Sequence, residues 1–93
     1  MSNKDLIVIS AVGLDQPGVI AKITGLIAEM DGNIQDISQN IMQNLFAVIM
    51  TVDITRCQCD FSVLKDKFEQ LGEELGSKII VQHQDTFRFM HRI

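Results

Sequence analysis

The chain has no tryptophan, no tyrosine, one proline and two cysteines among its 93 residues. Two cysteines build no disulfide framework. They also fall short of a closed zinc site, which takes four ligands, and Cys57-Gln58-Cys59 has no second pair beside it. His83 and His91 stand far off in sequence, so the two thiols read as ordinary loop residues and no metal is expected. Positive charge is also scarce, with 8 basic residues against 12 acidic ones and a net charge of −4. A nucleic-acid binder needs a basic face to displace counterions from phosphates, and an anionic membrane asks for the same. Neither partner is expected. No apolar run reaches the roughly 20 residues that span a bilayer. The opening Met1-Ser2-Asn3-Lys4-Asp5 carries no cleavage pattern of a signal peptide, which makes the cytoplasm the expected location. No nucleophile stands beside a base and no metal cluster is evident, so neither an enzyme nor a cofactor is expected.

What is present is ordinary for a globular protein: 46% hydrophobic and 22% charged residues. The length suits one domain over residues 1–93. A domain of this size buries only about two-thirds of its unfolded surface, and pairing with a second copy is the usual remedy.

Leu6 to Val12 is a nearly continuous apolar run that reads as a buried strand. Leu6, Val8 and Val12 fall on one of its faces and Ile7, Ile9 and Ala11 on the other. Helices can cover one face; another subunit is the expected cover for the second, and the Phe87–Ile93 tail is a candidate for part of it. Gly13 to Gly18 breaks the run. Pro17 suits the first position of a helix that continues to about Asp31, with Val19, Ile23, Leu26, Ile27 and Met30 in one stripe. Gly32 is expected to end it in a left-handed conformation. Asn33 to Gln43 alternates imperfectly, which a bulge near Asp36 reconciles. Gln43-Asn44 forms a tight turn into Leu45–Ile54, whose residues Phe46, Val48, Met50, Val52 and Ile54 share a face, either core or dimer interface. Asp60 is placed to cap a second helix, in which Phe61, Leu64, Phe68, Leu71 and Leu75 form the stripe. Gly76 closes it and Lys78 to Gln84 is the last strand. Residues 85–93 read as a tail or short helix.

The order β-α-β-β-α-β has an economical solution. It is an α+β, ferredoxin-like sandwich, a four-stranded antiparallel sheet with two helices on one face. An RNA-recognition sheet has the same order but needs exposed aromatics on its central strands, and Phe46 is the only aromatic of the third.

Val12-Gly13-Leu14-Asp15-Gln16-Pro17-Gly18-Val19-Ile20 resembles the strand-to-helix signature of ACT domains, and Asp31-Gly32-Asn33-Ile34 resembles their junction into the second strand. Spacing and element order agree over residues 6–84. The end of the chain, Met90-His91-Arg92-Ile93, is similar to stand-alone ACT proteins related to the glycine-cleavage-system repressor. The resemblance implies a regulatory module that binds an amino acid or another small metabolite at an interface between two copies. A regulated partner protein is implied as well. The alternative is a ligand-free interaction domain that acts on a partner enzyme or transcription factor.

The implied site comprises Asp15, Pro17, Gly18, Val19, Ile20, Asn33 and Ile34. A helix start presents free N–H groups, so the amides of Gly18, Val19 and Ile20 can hold a carboxylate. Gly18 allows close approach to the backbone. Asp15 can take an ammonium group, and Asn33, read as lying opposite the helix opened by Pro17-Gly18, both donates and accepts. The family often carries a further polar side chain where this chain has Gly13. His83, at the end of the last strand, reads as structural.

Overall fold

The structure, a computed structural model, describes residues 5–14 and 16–84; the expectations for Asp15 and for the tail over 85–93 lie outside the described residues. Six elements follow one another as β1 (Leu6–Leu14), α1 (Val19–Glu29), β2 (Asn33–Met42), β3 (Leu45–Asp53), α2 (Phe61–Leu75) and β4 (Lys78–His83). They form one sheet in the order β2-β3-β1-β4, antiparallel throughout. Each helix thus links two parallel strands that a third strand separates, the split βαβ arrangement expected from the element order.

Alternation along the strands sets the two faces of the sheet. Ile7, Ile9 and Ala11 of β1 pair with Val52, Met50 and Val48 of β3, and all six are buried. Ile79 and Val81 of β4 extend this layer. The helices close over it with Ile23 and Ile27 from α1 and Leu64 and Phe68 from α2. The apolar face of β3 is therefore core. Val8 points to the other face and is buried outside this cluster.

β2 carries the anticipated irregularity. Its register against β3 shifts between Ile34 and Asp36, so that Ile34 stands opposite Val52 and Ile37 opposite Met50. The extra residue restores Ile34, Ile37 and Ile41 to a common, helix-facing side.

Several boundaries differ from the expected ones. β1 runs on through Gly13 to Leu14, because its partner strand continues to Leu45. Helix α1 begins at Val19 rather than at Pro17, with Gly18 as its N-cap at φ 84°. Pro17 lies in the preceding turn, where its fixed φ and lack of an N–H are equally tolerated. At the other end of α1 the left-handed residue is Asp31, at φ 61°, and not Gly32. Asp31 N donates to Ala28 O at 3.1 Å and Gly32 N to Ile27 O at 2.9 Å, the paired bonds of a Schellman ending. Gly32 is needed for space: a Cβ there would stand 2.9 Å from Ile27 Cγ2 and 3.1 Å from Val52 Cγ1. Gly76 does end α2 in the left-handed region. Asp60 occupies the N-cap position of α2, but its side chain makes no capping bond.

Candidate functional site

The turn from β1 into α1 is built from two glycines and two distant anchors. At Gly13 the strand passes so close to Ser77 that the Ser77 hydroxyl fills the place a side chain would take, with Ser77 Cβ 2.9 Å from an ideal Cβ. Ser77 Oγ is buried there without a hydrogen-bond partner. A polar atom from the α2–β4 junction thus lies where the family often carries a polar side chain. Beyond Asp15, Gln16 Nε2 donates to Leu75 O at 2.7 Å, which ties the turn to the last carbonyls of α2. Neither anchor was among the residues read from the sequence. Gln16 and Leu75 are 59 positions apart, and no local pattern joins them.

Helix α1 starts without a side-chain cap and without an acidic residue in its first turn. The first intrahelical bond runs from Lys22 N to Gly18 O, at 3.0 Å. The amides before Lys22, those of Gly18, Val19, Ile20 and Ala21, are the ones an α-helix leaves without intrahelical acceptors. Ala21 thereby joins the three donors expected from the sequence. Nothing lies within 4 Å of a Cβ built on Gly18, so the approach to these amides is open. The side chain of Val19 is buried in the core and that of Ile20 is packed against it, so both contribute through the backbone.

Asn33 is exposed and Ile34 half-buried at the start of β2. Their place corrects one expectation. Asn33 pairs with Asp53, which pairs with Leu6 at the beginning of β1, whereas the turn follows Leu14 at its end. Eight strand steps separate the two, roughly 26 Å. The two halves of the expected site therefore stand at opposite ends of the sheet within one chain. Antiparallel return of α1 along β1 enforces this, since the helix must end where β1 began.

The remaining polar groups gather at the Asn33 end. Asp53 Oδ1 accepts from Thr55 N at 2.9 Å and from Thr55 Oγ1 at 2.5 Å. Thr55 Oγ1 in turn accepts from Asp5 N at 3.0 Å. His83 Nε2 lies 2.7 Å from Asp5 Oδ1, and its ring meets Phe61 edge-on at 6.4 Å. His83 thus bridges β4 to the start of β1. Burial pushes the Cys57 thiol up, with Cys59 and the carboxylates of Asp31, Asp53 and Asp5 adding to the effect. A thiol held protonated in this way is a poor nucleophile and a poor ligand. Among the described residues no group of three or more His, Cys, Asp or Glu side chains could hold a metal ion, and no helix is long and apolar enough to cross a membrane.

A family model described as an ACT domain matches residues 5–82. A UPF0237 protein of Methanocaldococcus jannaschii is 53% identical over 87 residues, covering 94% of this chain and 97% of the relative. Among solved structures, an ACT domain protein from Streptococcus pneumoniae superposes with a TM-score of 0.80 at 35% identity, covering 91% of this chain and 96% of that one. A structure described as a glycine cleavage system transcriptional repressor superposes with a TM-score of 0.77 at 20% identity, over 89% of this chain and 47% of that one, a likeness of fold alone.

Proposed function

The chain belongs to the ACT-domain family, and from that premise we propose that it is a non-catalytic, cytoplasmic regulatory module that binds an amino acid between two copies of itself. The observation that carries this reading is the separation of the turn from Asn33, taken together with the position of β2 at the edge of the sheet. An edge strand has unpaired N–H and C=O groups and accepts another strand. Two copies joined β2 to β2 about a two-fold axis normal to the sheet run antiparallel. The Asn33 end of one β2 then meets the Met42 end of the other, and Met42 leads through Leu45 to Leu14 and the turn. The dimer reunites what the single chain keeps apart, twice, once on each side of the axis.

The flank of the molecule supports the same pairing. Ile37 and Ile41 lie on the helix-facing side of β2 yet are half exposed. In the dimer they meet their counterparts across the axis. The ligand carboxylate is held by the Gly18–Ala21 amides of one copy. Its ammonium group falls to Asp15, which precedes these amides in the chain, with Asn33 and the Ile34 backbone of the other copy closing the pocket.

Mixing two defective chains tests this directly. Gly18→Val blocks the turn and Asn33→Ala removes the amide; each alone abolishes calorimetric binding of the amino acid that the wild type selects from the twenty. Mixed in equal amounts and allowed to exchange, they form heterodimers with one intact site, restoring about a quarter of all sites. No recovery on mixing, with exchange verified by native mass spectrometry, rules out a site shared between copies. A wild-type protein that is folded and dimeric but silent toward all twenty amino acids removes the proposed ligand class.

A further inference from the structure

The helix-free face of the sheet is sheltered at one end and open at the other. Val8 and Val12 are the same residue type on the same face of the same inner strand, yet Val8 is 4% exposed and Val12 52%. Thr51 and Gln82 stand beside Val8, Ala47 and Lys78 beside Val12, a difference too small to close one end and open the other. The shelter extends around Val8, where Leu6, Thr51, Asp53 and Gln82 are all half-buried. One row on, Ile49 and Ile80 flank Ser10, and these two with Leu14 and Leu45 beyond them are 44–57% exposed. Both helices lie on the opposite face, and the loop after β3 turns to that side as well, where Cys57 and Cys59 pack against the core.

We infer that residues 85–93 of the same chain, which lie outside the described residues, pack over the Val8 end of this face as a strap. The chain arrives at the right place. His83 pairs with Ile7 and Gln82 with Val8, so Gln84 passes the chain on roughly 7 Å from the Val8 row. On the helix side this exit is filled, because the His83 ring meets Phe61 edge-on at 6.4 Å. Length fits the partial cover. Residues 85–93 span about 13 Å as a short helix, enough to shelter one end of β1 and too little to shelter Leu14, roughly 20 Å from Val8. The chemistry fits as well. Phe87, Met90 and Ile93 recur at helical spacing and supply an apolar stripe. The same segment carries Arg88, His91 and Arg92 against a single acid, Asp85. The sheltered end of the face carries Asp36 and Asp53, opposite Thr51 and Leu6, whereas Lys78, the one basic residue that the strands place on this face, stands at the open end beside Val12. Residues 1–4 also adjoin the sheltered end, but Met1 is their only apolar side chain. The strap leaves the β2 edge free and blocks flat packing of another sheet on this face, and it stands independently of the amino-acid site.

Thiol protection in the full-length chain, with Cys57→Ser and Cys59→Ser as background, tests the strap. Val8→Cys is expected to react with a maleimide at least about tenfold more slowly than Ile49→Cys on the open part of the same face. Phe87→Asp with Met90→Asp lifts the strap, raising the rate at position 8 to that at position 49 and leaving position 49 unchanged. Ala11→Cys, which points into the core from the same strand, stays protected throughout and reports that the fold is intact. Where position 11 opens as well, Val8→Cys combined with Met90→Cys decides: a bifunctional maleimide is expected to link the two thiols within single chains, and absence of that link overturns the proposal. A thiol at position 8 that reacts as fast as the one at position 49 with the tail unaltered also overturns it. So does a thiol that stays protected after the tail is changed; protection that is then lost on dilution assigns the cover to a second copy, and protection that survives dilution assigns it to residues 1–4.

Discussion

Gly18 and Gly32 flank the same helix for different reasons. Gly18 is held at φ 84° with empty space around it, so its constraint is conformational. Gly32 has no such φ; its constraint is the packing of Ile27 and Val52 against its Cα. Gly32→Ala is therefore expected to cost about 1–3 kcal/mol by overpacking, read as a lower urea midpoint at unchanged slope. Trimming Ile27 to Val leaves the clashing Cγ2 position occupied and should not rescue it, whereas Val52→Ala in the same chain should recover part of the loss. The sequence marks both positions as glycine without telling these cases apart, because backbone strain and steric exclusion select the same residue.

At the scale of elements, the turn that opens α1 is held by a contact from the far end of α2. The Gln16 bond to the Leu75 carbonyl is exposed, which places its worth at the low end of the ~0.5–1.5 kcal/mol range for a single hydrogen bond. Gln16→Ala is expected to lower global stability by that small amount and to accelerate hydrogen exchange at residues 16–21 by more, since the turn loses its one long-range tether among the described hydrogen bonds. On the proposed function, affinity for an amino acid should fall with it, through the loss of a preorganised set of amides. Equal exchange rates in Gln16→Ala and wild type would show that the turn is held by its own backbone.

For the whole molecule, one small core carries the fold. Phe68 is the largest of its fully buried side chains and sits where α2 meets the sheet. Phe68→Ala is expected to cost about 3–5 kcal/mol, a large share of the ~5–14 kcal/mol that a domain of this length has in total. Thermal unfolding followed by circular dichroism should shift down by well over ten degrees, or show a chain already unfolded in part at 37 °C. If two copies pair as proposed, the transition temperature should also rise with protein concentration, by mass action.

The order of elements, the two-face alternation of β1 and β3 and the stripes of both helices were legible in the sequence. Each is a local periodicity, and burial on one side of a strand or helix imposes that periodicity on the residues themselves. The bulge near Asp36 was legible for the same reason, as a break in alternation. The backbone donors at the helix start could be read as well, because any helix leaves its first amides free. Only the tertiary structure decided where those donors lie relative to Asn33. The sequence placed them opposite each other; the fold sets them at opposite ends of the sheet, since α1 runs back along β1 before β2 begins. It also decided which strand is an edge, which apolar face the helices cover, and that Ser77 stands over Gly13. These are relations between segments tens of residues apart, and no periodicity within either segment encodes them.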